Sequence, residues 1–170
     1  MNLYDATVPV FTKLLNGMDK WLDKAAAHAD AKKFDVNSLA GARLAPDQYS
    51  FVRQIQALCD QVKYTVAKLT GKEPPKHADT EKTIAEIRQR IRTVVDYLAT
   101  YRAEDFAGAD ERRCSHTWMG GKSLSGAEYL HHFALPNFYF HLVTAYDILR
   151  HNGVDLGKMD YIVSLPLRDS

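Results

Sequence analysis

The sequence contains few cysteines, glycines and prolines, and it has no long apolar run. Of its 170 residues, two are cysteine, nine are glycine and six are proline. Disulfide-rich, collagen-like and low-complexity proteins need many more of these residues, so all three classes are excluded. No apolar stretch approaches the ~20 residues that span a bilayer, and the N-terminus MNLYDATVPVFTK does not have the pattern of a secretory signal. We therefore expect a cytoplasmic protein that is not integral to a membrane.

The chain also lacks an excess of charge of either sign. Its 22 Lys and Arg residues and 21 Asp and Glu residues give a formal net charge of +1. Proteins that bind nucleic acids or anionic membranes carry a marked positive excess, so we expect neither partner. The GxGxxG, GxSxG, HExxH and CxxC motifs and the phosphate-binding glycine loop are missing as well. The common nucleotide-binding, hydrolase and zinc-protease interpretations therefore have no support.

A helical period is present in four segments of the chain. Apolar residues recur three and four positions apart over residues 4–30, 46–71 and 79–101, with charged residues on the opposite face. The fourth helix is predicted over residues 136–151, after a helical lead-in that Pro136 separates or kinks. This helix is apolar on nearly every side, so we expect it to be buried all round.

These segments predict one all-α domain over residues 1–170, a four-helix bundle with two long connections. One connection follows the first helix. The other covers residues 102–125 and is partly extended, with a short hairpin around Gly120 and Gly121. Long connections favour a crossover over simple up-and-down topology. An irregular helical array is the alternative.

The last helix carries the strongest polar pattern. Asn137 and His141 are four residues apart, so they share a helical face. Gln54 lies beside the apolar stripe of the second helix and could converge with them. Helical bundles build metal sites from such sets, but the other interpretation is a buried histidine held by an amide or a backbone carbonyl. We favour the second, because two carboxamides and one imidazole make a poor zinc site.

Three stretches resemble a bacterial family of unknown function that is grouped with the DinB/YfiT-like proteins. They are PNFYFH…TAYDILRHNGVDLGK from Pro136, RLAPD from Arg43 and DTE from Asp79. The resemblance covers nearly the whole chain, and it implies a DinB-like four-helix bundle.

DinB-like proteins typically carry three metal-binding histidines, one on the second helix and two spaced four apart on the last. Some relatives are metal-dependent thiol transferases or hydrolases. In this sequence His141 matches the second histidine of the pair, whereas Asn137 replaces the first and Gln54 replaces the one on the second helix. The resemblance therefore implies a degenerate metal site and no cofactor; a divalent metal, if one binds, would use His141.

We expect a small-molecule-binding or regulatory protein, with a metal-dependent transferase or hydrolase of the DinB/YfiT type as the alternative. The predicted ligand pocket lies at the end of the bundle, where residues of the 102–125 connection must cover part of it. Its predicted lining is Gln54, Asn137, His141, Trp118 and Tyr129.

A homodimer is expected from surplus apolar surface. The last helix has more apolar faces than three neighbouring helices can cover, and Leu14 and Trp21 lie seven residues apart beside the core stripe of the first helix. A patch of exposed apolar residues is adhesive, and pairing with a second copy buries it. The alternative is a monomer in which the 102–125 connection covers the patch.

Overall fold

The computed structural model describes residues 2–168 and is built from helices. The long helices are α1, Val8–Lys32; α2, Phe51–Thr70; α3, Ile84–Leu98; and α5, Leu135–His151. Two short helices, α4 (Gly126–Tyr129) and α6 (Lys158–Ile162), flank α5 along the chain. Residues 2–168 contain no β-strand, so the predicted all-α bundle is confirmed. In the same residues, no helix has the length and apolarity to cross a membrane.

Three helices begin later than the sequence pattern indicated, including α1, which begins at Val8 and not near residue 4. Ser50 is extended (φ −68°, ψ 165°), so α2 begins at Phe51 and not near residue 46. For α3, the Thr83 side chain accepts from the Glu86 backbone N–H while the Glu86 carboxylate accepts from the Thr83 N–H. This capping box fixes the start of α3 at Ile84. The predicted stop of α2 is confirmed, because Gly71 forms a left-handed cap with φ 74°.

The connection before the last helix has the predicted extended pairing. Cys114 and Leu124 form an antiparallel bridge, with N–H to carbonyl distances of 2.8 and 2.9 Å. Gly120 and Gly121, at φ 59° and 81°, reverse the chain between them. The short helix Thr117–Met119 lies inside this loop and carries Trp118 outward.

The helical lead-in and α5 are continuous, joined by a π-helix at Leu130–Ala134. The Leu135 N–H donates to the Leu130 carbonyl, which is the wider spacing of a π turn. Pro136 follows immediately, in the first turn of α5, where a missing N–H is tolerated. Pro136 is therefore accommodated by the local widening and does not separate the two segments.

The bundle packs around α2, which contacts both α3 and α5, while α1 contacts α3 and α6. Large side chains with no more than 1% exposure fill the centre, including Phe11, Leu15, Met18, Phe51, Leu58 and Phe138. Burial of such side chains is the main favourable term in folding.

The expected exposure of Leu14 and Trp21 is wrong. Leu14 is 5% exposed and Trp21 is 1% exposed, because α6 returns to cover this side of α1. The Trp21 indole N–H donates to the Asp160 carbonyl at 2.9 Å, and its ring stacks against Tyr161. The sequence pattern did not indicate α6, since five residues are too short to show a helical period.

The expectation that the last helix is buried all round is also wrong. One side of α5 packs into the core through Phe138, Leu142 and Ala145. The other side leaves Phe140 56% exposed and Val143 40% exposed. The surplus apolar surface of the chain therefore lies on α5 and not on α1.

Candidate functional site

A row of polar side chains lies between α2 and α5, in an interface that is otherwise apolar. We call it the polar seam; its members are Gln54, Gln61, Thr65, Asn137 and His141. Gln54 and Gln61 are two turns apart on α2, and Asn137 and His141 are one turn apart on α5, so each pair lies on one helical face. The helices run antiparallel here, because Gln54 meets His141 and Gln61 meets Asn137.

At one end of the seam, His141 is bound to Gln54. The His141 Nδ1 and Gln54 Oε1 atoms are 2.7 Å apart, and the Gln54 Nε2 donates to the Tyr49 carbonyl at 3.2 Å. Because the amide nitrogen is used by that carbonyl, Oε1 is the acceptor and the proton of a neutral His141 lies on Nδ1. Burial lowers the pKa of His141. A neutral imidazole with its Nε2 lone pair available results.

At the other end, Asn137 is bound to Gln61. The Asn137 Nδ2 donates to the Gln61 Oε1 at 2.7 Å, and the Gln61 Nε2 donates to the Thr65 hydroxyl at 2.9 Å. The Thr65 hydroxyl in turn donates to the Gln61 carbonyl. The buried side chains of Gln61 and Thr65 therefore both have hydrogen-bond partners, as burial in an apolar interface requires.

The seam continues into an aromatic cluster formed by Tyr129, His116 and Trp118. Tyr129 is fully buried, and its hydroxyl lies 3.2 Å from the His116 Nε2. Burial raises the pKa of Tyr129 to about 12, and polar contacts from Gln61 and Thr65 partly oppose that rise. The His116 ring stacks on Trp118 with a centroid distance of 5.6 Å. Burial, and then the charge of Lys68, lower the pKa of His116.

The structure brings the five predicted pocket residues together only in part. Gln54 and His141 are in direct contact, whereas Asn137 and Tyr129 join the seam through Gln61. Trp118 is 64% exposed and borders a separate surface cavity of about 400 Å³ with Leu124 and Phe133. Gln61 was not predicted as a site residue, although it lies seven residues after Gln54, and this spacing puts both side chains on one helical face.

A surface cavity lies beside the aromatic end of the seam. Its volume is about 530 Å³, within the range of small-molecule sites. His116 connects this cavity to the seam, because it lines the cavity wall and contacts the Tyr129 hydroxyl. The other lining residues are Tyr64, Lys68, Ser115, Thr117 and Gly121.

Comparison with known proteins gives the family. A family model described as Domain of unknown function (DUF1993) matches residues 3–162. The chain belongs to the DUF1993 family. It is similar to the crystal structure of a DinB family member protein from Shewanella denitrificans, at 46% sequence identity with a TM-score of 0.95. The match covers 99% of this chain and 96% of that one. No curated protein matches the chain significantly.

The predicted resemblance to DinB-like proteins is therefore confirmed at the level of family and fold. The family and fold do not by themselves determine the chemistry of the site in this DUF1993 chain. DinB-like proteins typically ligate a metal through three histidines, and the residues of this chain can be compared with that set. Residues 2–168 contain no cluster of three or more His, Cys, Asp and Glu side chains that could hold an ion. His141 is the one imidazole in the seam; Gln54 is hydrogen-bonded to it and to the Tyr49 carbonyl, and Asn137 is hydrogen-bonded to Gln61. This donor set does not fit a zinc or nickel ion.

Neither thiol of the DUF1993 chain is an activated nucleophile. Burial raises the pKa of Cys59 to about 12. Burial also raises the pKa of Cys114, against the opposing charges of Lys68 and Arg112. A thiol becomes a reactive nucleophile when its pKa falls, and the pKa of each of these thiols is raised. The side chains of the seam therefore favour binding by hydrogen bonds over covalent catalysis by cysteine.

Proposed function

We propose that this protein is a small-molecule-binding or regulatory protein in which a degenerate metal site has become a set of hydrogen bonds. The observation that carries the proposal is the pairing of His141 with Gln54 and of Asn137 with Gln61. By resemblance, His141, Asn137 and Gln54 stand where DinB-like proteins carry metal ligands. The Gln54 amide pairs with the His141 imidazole and the Asn137 amide pairs with Gln61, so hydrogen bonds and not an ion hold these side chains in place.

The ligand of this proposal is a small polar molecule that enters beside His116. The cavity there is about 530 Å³, and the buried Tyr129 hydroxyl lies directly behind the imidazole. His116 is the residue that such a molecule meets first, and Trp118 supplies an exposed aromatic face next to it. The polar side chains of Lys68, Ser115 and Thr117 line the cavity beside His116, which suits a small polar molecule.

Two measurements test the proposal. Elemental analysis of the purified protein is expected to find far less than one equivalent of zinc or nickel per chain. NMR screening with a library of small polar fragments is expected to shift the backbone signals of His116, Tyr129 and Gln61. The matched control is His116→Ala, which keeps the bundle core and is expected to remove those shifts. Near-stoichiometric metal lost on replacing His141 would support the metal-dependent transferase or hydrolase instead.

We also propose a homodimer through the outer side of α5. The exposed Phe140 and Val143 form its apolar centre. A patch of exposed apolar side chains is adhesive in water, and two-fold pairing with a second copy buries it. A second copy is therefore the occupant that this face fits.

We further place the protein in the cytoplasm. Cys59 and Cys114 are both free and buried, as expected for a chain that folds in a reducing compartment. Mass spectrometry after thiol alkylation of unfolded protein is expected to find both cysteines modified.

A further inference from the structure

A second cavity, next to the one that His116 lines, has four cationic side chains and one carboxylate in its wall. Its volume is about 420 Å³, and it lies where the end of α2 meets the start of the Cys114–Leu124 hairpin. We call it the basic cleft. Its charged lining residues are Lys68, Lys72, Arg112, Arg113 and Glu73.

Three of the four cations have no carboxylate partner within residues 2–168. Lys72 is paired with Asp105 at 2.8 Å. By contrast, Lys68 donates to the Ser115 carbonyl, and Arg113 donates through Nε to the Ser123 hydroxyl at 3.1 Å. The contacts of these two side chains are neutral groups, which hold them in place without cancelling their charge.

Arg112 is held in position by the end of α2. Its Nε donates to the Leu69 carbonyl at 3.0 Å, and its guanidinium lies against Gly71. A Cβ atom at Gly71 would be 2.8 Å from the Arg112 Nη1, and the φ of 74° there also favours glycine. Within residues 2–168, the two terminal nitrogens of Arg112 have no hydrogen-bond partner. The guanidinium is therefore preorganised, with its terminal donors available.

We propose that the basic cleft binds the phosphate group of a small phosphate monoester. Three unpaired cations favour a group that carries close to two negative charges over a single carboxylate, and the guanidinium fork of Arg112 matches phosphate oxygens. Tyr64 lines this cleft and the cavity beside His116, and it offers an aromatic face to the rest of the ligand. A cavity of this size and a net charge of +1 fit a small molecule, not a nucleic acid.

This inference rests on the proposed function in one respect, namely that the protein binds a small molecule. The experiment is an NMR titration of the full chain with phenyl phosphate, benzoate and phenol, in separate arms. Phenyl phosphate is expected to bind at least tenfold more tightly than benzoate and to shift signals of residues 64–74 and 112–115. Phenol is expected to show no saturable binding there.

Variants separate a specific cleft from general attraction of anions. Arg112→Gln and Arg113→Gln are each expected to weaken phenyl phosphate binding at least tenfold, because each removes charge-assisted hydrogen bonds. Arg92→Gln, an exposed cation on α3, is the matched control and is expected to change the affinity less than twofold. Equal losses in all three variants, or no saturable binding of phenyl phosphate to the wild type, would overturn the inference.

The outcome also separates this inference from the proposed function. If fragments bind at His116 and Tyr129 while phenyl phosphate does not bind, the phosphate site in the basic cleft is contradicted and the proposed function is not. If phenyl phosphate binds at Arg112 and no fragment shifts the signals of His116 or Tyr129, the ligand site beside the seam is contradicted and the phosphate site is not.

Discussion

The His141 Nδ1 lies 2.7 Å from the Gln54 Oε1, across the interface between α2 and α5. An amide oxygen at this distance accepts the imidazole proton and holds the ring in one tautomer. Tyr49 packs parallel to the imidazole, with an interplanar angle of 10°. The ring is thus oriented by a carboxamide and an aromatic face.

The stability of the protein is expected to fall as the pH falls, in part through His141. Burial lowers the pKa of His141 in the folded state, so near pH ~6.5 the unfolded chain binds more protons than the folded one. The stabilising contribution of the neutral ring is complete above that pH and is lost below it. Urea unfolding at about pH 7.5 and about pH 5.5 measures the change in the free energy of unfolding.

The control for this pH dependence is the exposed His151. His141→Gln is expected to reduce the loss of stability between the two pH values, whereas His151→Gln is expected to leave it unchanged. An unchanged loss in His141→Gln would show that His77 and His116, whose pKa values burial also lowers, account for the effect instead.

The contributions of Asn137 and Gln61 to the free energy of unfolding are expected to be coupled. Asn137→Leu removes the donor to the Gln61 Oε1 and leaves a buried acceptor without a partner. Such a loss costs about 1–3 kcal/mol of stability. The double variant Asn137→Leu/Gln61→Met is expected to lose less than the sum of the two single variants. A double-mutant cycle by urea unfolding gives this coupling, and strict additivity would contradict it.

Histidines at Gln54 and Asn137 are expected to create a metal site in this bundle. The variant Gln54→His/Asn137→His places imidazoles at positions that already lie beside His141 or one turn from it. Three imidazoles suit zinc, so about one equivalent is expected to remain after dialysis, against far less for the wild type. Adding His141→Ala should release the metal. If the variant folds but retains none, the correspondence with the DinB-like metal positions is wrong.

The dimer is expected to depend on Phe140. Light scattering at micromolar concentration should give about twice the chain mass of 19.2 kDa for the wild type and the monomer mass for Phe140→Glu. Met159→Glu is the matched control, because Met159 is a comparably exposed apolar side chain (62%) that lies on α6 and not on α5. A monomeric wild type, or a dimer that survives Phe140→Glu, would contradict the interface.

Apolar spacing was enough to predict the four long helices, because each long helix buries a face that repeats every three or four residues. The first residue of each helix was harder to predict from the sequence. The sequence pattern places the start of α3 near residue 79, whereas the reciprocal bonds between Thr83 and Glu86 place it at Ile84. For the same reason α6 was missed, since its position depends on tertiary contacts with Trp21 and not on its own period.

The candidate site was predictable in its residue types and not in its pairings. The four-residue spacing of Asn137 and His141 placed both on one face. Which α2 residue meets each of them depends on the relative shift of two helices along their axes, and sequence periodicity is insensitive to that shift. Gln54 was predicted to converge with both Asn137 and His141, but it contacts His141, and the partner of Asn137 is Gln61. The exposed position of Trp118 likewise follows from the course of the 115–123 loop, which has no periodicity.

The return of α6 to α1 has a consequence for synthesis of the chain. Asp160, whose carbonyl accepts from the Trp21 indole, follows Trp21 by 139 residues along the chain. Until α6 has been synthesised, this side of α1 therefore remains open to water, to chaperones and to other nascent chains. The arrival of α6 closes that surface, and burial of the Trp21 indole marks the moment of closure.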